Sequence, residues 1–178
     1  MIELAGLMWV MAIFFAFIGF LRGWTKEVVA TAGIILGLFA LFQFDTLIRG
    51  TLLANVARDQ VFFVQAGLFI VVVYFAYQTR AVFGSGERRP GRDALQESVL
   101  GGFLGFLNGY LIWGSIWYFL DINEYPLAPY VIAPALGSPS DQARSILPLV
   151  VLGGGINGNG DLLAVAVIVL FLIVLIMI

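Results

Sequence analysis

Apolar residues in this chain do not alternate with polar ones as in a half-buried strand, nor recur at the spacing of a soluble amphipathic helix. They come in unbroken blocks, at 4–21, 28–48, 61–79, 99–120 and 162–178, separated by short charged or Pro/Gly-rich breaks. A helix needs about 20 apolar residues to cross a hydrocarbon core of roughly 30 Å. The pattern therefore predicts an all-α integral membrane protein, a polytopic bundle of about five transmembrane helices. The first block follows Glu3 with no Lys or Arg before it and no small-residue cleavage site after it, so it reads as a retained span rather than a signal sequence.

The breaks set the order of the bundle. Arg22, Gly23, Trp24, Thr25, Lys26 and Glu27 make a tight polar corner, which predicts an antiparallel hairpin of the first two spans. The 49–60 segment mixes charge with Leu and Val and reads as an interfacial loop with a helical turn at 52–58. The 80–97 segment is the most hydrophilic of the chain, with turn chemistry at Pro90-Gly91 and Glu97 and Arg80 placed to pair across it. The 121–161 connection holds five of the six prolines together with Gly153-Gly154-Gly155 and Gly158-Asn159-Gly160. Within it, Ser138-Pro139-Ser140-Asp141 resembles a helix start, and 142–147 is expected to form a short surface helix.

Composition narrows the chemistry. Of the 178 residues, 61% are hydrophobic and 11% charged, and the mean hydropathy of +1.02 lies well outside the soluble globular range. A net charge of −2 leaves no basic stripe for nucleic acid. Without cysteine there is no disulfide or thiolate site, and without histidine the commonest general base and metal or haem ligand are missing. Ser98, Ser115, Asp121 and Glu124 have no base beside them in sequence, and Gly153 to Gly155 lack the Lys-Ser/Thr end of a phosphate loop. Neither a catalytic set, a cofactor site nor a metal site is expected, and the lipid bilayer is the first partner.

Positive residues near span ends resist translocation. With five spans, one side receives Arg49, Arg58 and Arg144, and the other receives Arg22, Lys26, Arg80, Arg88, Arg89 and Arg92. The second side is expected to be cytoplasmic, with the N-terminus outside and the C-terminus inside.

Lipid supplies little hydrophobic drive between helices, so small residues that let backbones approach mark the packing faces. Gly101, Gly105 and Gly109 lie four apart on one face of the fourth span; Gly19 and Gly23 repeat the spacing in the first, and Gly33 and Gly37 in the second. Packing within the bundle is the first reading of these grooves, with self-association or another protein's helix as alternatives. Asn108, in mid-span beside Gly109, is expected to make an interhelical hydrogen bond. Arg22, Lys26 and Glu27 read as an interfacial charged corner that anchors headgroups with Trp24, pairs internally or faces a partner. Gln65 and Gln78 add polar atoms near the ends of the third span.

The run Gly19-Phe20-Leu21-Arg22-Gly23-Trp24-Thr25-Lys26-Glu27-Val28-Val29, followed by Gly33 and Gly37, resembles the opening of the colicin V production (CvpA-like) membrane protein family. Glu97-Ser98-Val99-Leu100-Gly101-Gly102-Phe103-Leu104-Gly105 is similar to the family's acidic-basic-apolar-apolar-Gly opening of a later span. The resemblance covers roughly residues 1–150 and implies a four-span CvpA-like core, leaving 151–178 as a Gly-rich linker and an added C-terminal helix. Ser98 stands where the family carries a basic residue, so a local ion pair with Glu97 is missing.

The resemblance implies a non-enzymatic protein of the bacterial inner membrane, associated with bacteriocin production or export and with envelope homeostasis. The expected role is a scaffold, channel-like or export-associated component, as a homo-oligomer or with other membrane subunits. The alternative is an accessory subunit of a photosynthetic or respiratory complex that docks on neighbouring helices and shapes a quinone or lipid path. A transporter is the poorest of the three readings, since only Asn108 and Ser115 offer polar groups at mid-depth.

Overall fold

A computed structural model of the chain describes residues 3–45, 48–78, 92–155 and 158–177. The described residues form helices and connections without a strand. The long helices are α1 (Leu4–Arg22), α2 (Trp24–Gln43), α3 (Arg58–Gln78) and α4 (Arg92–Ile122); α5 (Pro139–Ala143) and α6 (Pro148–Gly153) are short, and α7 (Asp161–Met177) closes the chain. The first three, and α4 over Ala94–Ile122, are long and apolar enough to cross a membrane. At 17 residues, α7 is about 25 Å long, somewhat less than the usual hydrocarbon thickness.

Helix boundaries follow local chemistry. Gly23, at φ 84°, ends α1 and starts α2 by itself, and its N–H bonds to the Gly19 carbonyl at 2.9 Å. A side chain there would carry an unfavourable left-handed backbone and meet the Glu97 carboxylate at 3.3 Å. Because one residue suffices for the corner, α2 starts four residues before the apolar block and takes Lys26 and Glu27 into its first turn. The helix α4 likewise starts at Arg92, inside the hydrophilic segment. The Arg80 pairing and the Pro90-Gly91 turn lie outside the described residues.

The expected hairpin is joined but not packed along its length. The helix α1 lies against α4, and α2 lies against α3, α4 and α7, while α1 and α2 touch only sparingly. The glycine faces explain the divergence, because each helix spends its small-residue face on a different neighbour. A Cβ on Gly101 would lie 2.7 Å from the Gly23 carbonyl carbon, and one on Gly109 would lie 2.7 Å from the Ala12 Cα. The same test on Gly33 meets the Ala76 Cβ at 2.7 Å, and on Gly37 the Val72 Cγ1 at 2.6 Å. So α1 and α4 are antiparallel, as are α2 and α3. The bundle has a corner end, at Gly23, and a loop end, at Asp121 to Asp161.

The 121–161 connection folds back onto the bundle. Ser138 starts α5 by accepting the Asp141 N–H at 3.2 Å. Ser140 reaches α1, accepting the Ala5 N–H at 3.2 Å and donating to Glu3 Oε2 at 2.6 Å, so it caps a helix that has no local cap. Leu147 and Leu149 are buried rather than on the surface, and Pro148 sits over the notch at Gly114. Tyr125 adopts φ 55°, a sparsely populated conformation for a bulky residue. Its hydroxyl is pinned, accepting from Trp117 Nε1 at 3.1 Å and donating to Asp121 Oδ1 at 3.0 Å.

The apolar core encloses several polar side chains, while large apolar ones face outward. Ile34, Leu38 and Phe69 are buried at the centre, but so are Glu27, Thr31, Gln65, Asn108 and Ser115. Phe17, Phe75, Phe103 and Phe171 project outward, each more than 60% exposed.

Candidate functional site

The site is built around Glu27, which is 0% exposed although it carries a carboxylate. Its position on the first turn of α2 follows from the one-residue corner, and the residues that meet it come from three other helices. Arg22, at the end of α1, donates from Nη1 to Glu27 Oε1 at 2.7 Å. Tyr77, near the end of α3, donates its hydroxyl to Oε2 at 3.2 Å. From α4, Asn108 Nδ2 donates to Oε2 at 2.7 Å. Thr31, one turn along α2, has its hydroxyl 2.8 Å from the Glu27 carbonyl and 2.7 Å from Asn108 Oδ1.

Arg22 is satisfied in turn. Its Nη2 donates to the Tyr77 carbonyl in the last turn of α3 at 3.2 Å, and its guanidinium lies 4.3 Å from the centre of the Tyr77 ring. The cluster is electroneutral, and both carboxylate oxygens are engaged. Burying a charge is costly unless it is paired and hydrogen-bonded, and here both conditions are met. Chemically, the arrangement holds an ionised carboxylate inside an apolar bundle and ties α1, α2, α3 and α4 together at one depth.

A second polar group lies toward the loop end. Asn123 Nδ2 donates to Gln65 Oε1 at 2.9 Å and to the Phe119 carbonyl at 2.8 Å, and Gln65 Nε2 donates to Asp45 Oδ1 at 2.9 Å. A cavity of about 260 Å³ borders Asp45, Phe119 and Ile122 there. Beyond it, Arg144 bonds Asp121 at 2.9 Å, and Arg58 pairs with Glu124. Burial pushes the Tyr125 phenol up to about 12, and the nearby Asp121 carboxylate, to which it donates, helps hold its proton.

The residues singled out by the sequence fall into three places. Gly19, Gly23, Gly101, Gly105 and Gly109 share the α1–α4 contact, Gly33 and Gly37 face α3, and Asn108 joins Glu27. The charged corner divides: Lys26 is exposed, while Arg22 and Glu27 turn inward and pair. Headgroup anchoring thus leaves only Lys26 and Trp24, both exposed, to perform it. Tyr77 and Thr31 are the members that sequence reading missed. Thr31 had a signal, a hydroxyl one turn after an acid, whereas Tyr77 had none.

Fold and site describe an all-helical bundle with an apolar core holding a few paired polar groups, an apolar exterior and four helices of membrane-crossing length. Comparison with protein-family models, curated proteins and solved structures finds no match to this chain.

Proposed function

We propose that this chain is a non-enzymatic, CvpA-like protein of the bacterial inner membrane. It acts as a scaffold with a channel-like or export-associated role. The observation that carries the reading is the large apolar side chains turned outward on helices of membrane-crossing length, Phe103 at 70% exposed, around a buried Glu27 at 0%. A bilayer is the solvent that suits such a surface, and in it an interior ion pair joined to close backbone contacts is a natural way to fix helices. The sequence motifs around Gly19 to Val29 and Glu97 to Gly105 supply the CvpA-like part of the reading. In this reading α7 is a fifth span, docked chiefly on α2, with most of its surface turned outward.

The test is mass determination after purification in mild detergent. A discrete homo-oligomer, or the chain alone bound to lipid, fits the scaffold. Stoichiometric co-purification with redox or pigment proteins replaces it with the accessory-subunit reading, in which the outward face of α7 would be the docking surface. Recovery in the aqueous fraction without detergent would overturn both.

A further inference from the structure

A cavity of about 430 Å³ lies at the loop end, between Glu3, Leu4 and Leu7 at the start of α1 and the 129–140 stretch of the long connection. Sites for small ligands enclose about 300–1,000 Å³. The depth of this one is fixed by α1. Its 19 residues rise about 28 Å, close to the roughly 30 Å of a hydrocarbon core, so Leu4 and Leu7 belong to the edge of that core and Glu3 to its boundary. Ser140, buried and bonded to both the Ala5 N–H and Glu3, holds the facing stretch at the same level.

The stretch that faces α1 is apolar in its side chains and open in its backbone. Tyr125 through Ser140 contain no charged residue, and Tyr130 and Leu136 stand almost fully exposed. The Val131 to Pro134 carbonyls accept no hydrogen bond from the described residues. Bare backbone is not tolerated against acyl chains, whereas headgroups supply donors to it. Across from these carbonyls stands one carboxylate. Glu3 Oε2 accepts the Ser140 hydroxyl at 2.6 Å, and no Lys or Arg among the described residues pairs with Glu3. Arg144, the basic residue nearest the stretch in sequence, is held by Asp121 and Asp141. The cavity thus offers a negative charge, spare acceptors and apolar walls, and it lacks a cation.

We propose that this cavity binds one phospholipid with a primary-ammonium headgroup, of the ethanolamine type. The ammonium sits on Glu3 and the open carbonyls, and an acyl chain runs along Leu4 and Leu7. A primary ammonium carries three N–H donors, which match a carboxylate and neighbouring carbonyls. A choline headgroup has no N–H to give, and a single tyrosine is not the aromatic cage that a quaternary ammonium requires. A glycerol headgroup brings only the negative charge of its phosphate toward Glu3. Ser138, whose hydroxyl oxygen accepts the Asp141 N–H, keeps its own proton to donate to the lipid phosphate. A free amine would present the same ammonium, but the Leu4 and Leu7 wall at hydrocarbon depth selects a lipid. The site rests on the reading that the bundle crosses a bilayer and adds a specific lipid partner to it.

The test offers the full chain, delipidated in mild detergent, an equal mixture of phosphatidylethanolamine, phosphatidylcholine and phosphatidylglycerol with matched acyl chains, and reads bound lipid by native mass spectrometry. Flotation with liposomes of the same mixture verifies insertion. The wild type is expected to retain one phosphatidylethanolamine per chain, several-fold above either other lipid. Glu3→Gln, which keeps an acceptor for Ser140 and loses the charge, is expected to lose that preference while melting close to the wild type. Ala135→Trp, which fills the cavity and leaves the charge in place, is expected to lose all three lipids. Equal retention of the three by the wild type, a preference undiminished in Glu3→Gln or in Ala135→Trp, or soluble phosphoethanolamine competing as well as the lipid would overturn the site. Protein that floats with vesicles but shows no preference leaves the scaffold reading standing, whereas protein that does not float removes both.

Discussion

Gly105 and Gly19 meet backbone to backbone: a Cβ built on Gly105 would lie 2.9 Å from the Gly19 Cα and still closer to the Phe15 carbonyl. Backbone cannot rotate aside as a side-chain tip can, so any larger residue must push α1 away from α4. Every contact the two helices share along their length then weakens together.

Gly105→Ala is therefore expected to destabilise by about 2–3 kcal/mol, the upper part of the range for overpacked sites. Gly67 on α3 is the matched control, since nothing lies within 4 Å of a Cβ there. Gly67→Ala is expected to be neutral or to gain up to about 1 kcal/mol from helix propensity. Thermal unfolding of both variants in the same detergent checks the pair. Equal melting temperatures would show that the α1–α4 approach is looser than the geometry says.

The Glu27 cluster gives a second contrast. Arg22→Ala leaves a fully buried carboxylate with only neutral donors, Tyr77 and Asn108. Removing one member of a buried ion pair costs about 3–5 kcal/mol, and the partial exposure of Arg22 places this case near the lower value. Replacing both members, Arg22→Met with Glu27→Leu, removes the unpaired charge and is expected to recover most of the loss. Denaturation midpoints of the single and double variants decide it, and a double variant as unstable as Arg22→Ala would refute the charge argument.

Tyr125 gives the chain an alkaline limit. Its phenol is raised from 10.0 to about 12 in the folded state, chiefly by burial. A group whose folded value is raised contributes stability that is complete below its unfolded value and is lost as pH climbs through the folded one. Stability is thus expected to fall from about pH 10 toward pH 12. In Tyr125→Phe that part of the slope should disappear. Melting temperatures across this range test it, with phenolate absorbance reporting the ionisation.

Much of the bundle's plan is readable from the chain, because lipid-facing helices need long apolar blocks and close helix contacts need small residues at helical spacing. Gly101, Gly105 and Gly109 show this most directly: without side chains they have little role on a lipid-exposed face, so their periodicity points to a neighbour. The inward turn of Glu27 was not readable. It depends on Gly23 making the corner alone, which advances α2 by a turn and rotates Glu27 away from the surface. Tyr77 is out of reach for another reason: it lies fifty residues from Glu27, on a helix whose rotation depends on packing against α2. The capping of α1 by Ser140 spans 135 residues and joins two segments with no shared pattern.

That long-range cap is testable by itself. Ser140→Ala deprives Glu3 of a donor and the Ala5 N–H of its acceptor. A lost helix cap costs about 1 kcal/mol. The sharper effect should be local, since Ser140 tethers the 126–147 segment to the bundle. Limited proteolysis is expected to cut that segment faster in Ser140→Ala than in the wild type, with cleavage elsewhere unchanged.

The threading itself makes the last prediction. The corner end carries Lys26, and the loop end carries Ser138, so in a bilayer crossed by α1 to α4 these two residues face opposite compartments. Six of the nine basic residues belong to the corner side, which the positive-inside bias assigns to the cytoplasm. The chain has no cysteine, so single replacements report one position each without background. In intact cells Ser138→Cys is expected to react with a membrane-impermeant maleimide, and Lys26→Cys to react only after the membrane is opened. The opposite pattern would invert the orientation, and labelling of both in intact cells would mean that the helices do not span the bilayer. A third position, Ile178→Cys, then reads α7: protection in intact cells places the C-terminus with Lys26 and makes α7 a fifth crossing, while labelling alongside Ser138→Cys returns it to the outer face and leaves four.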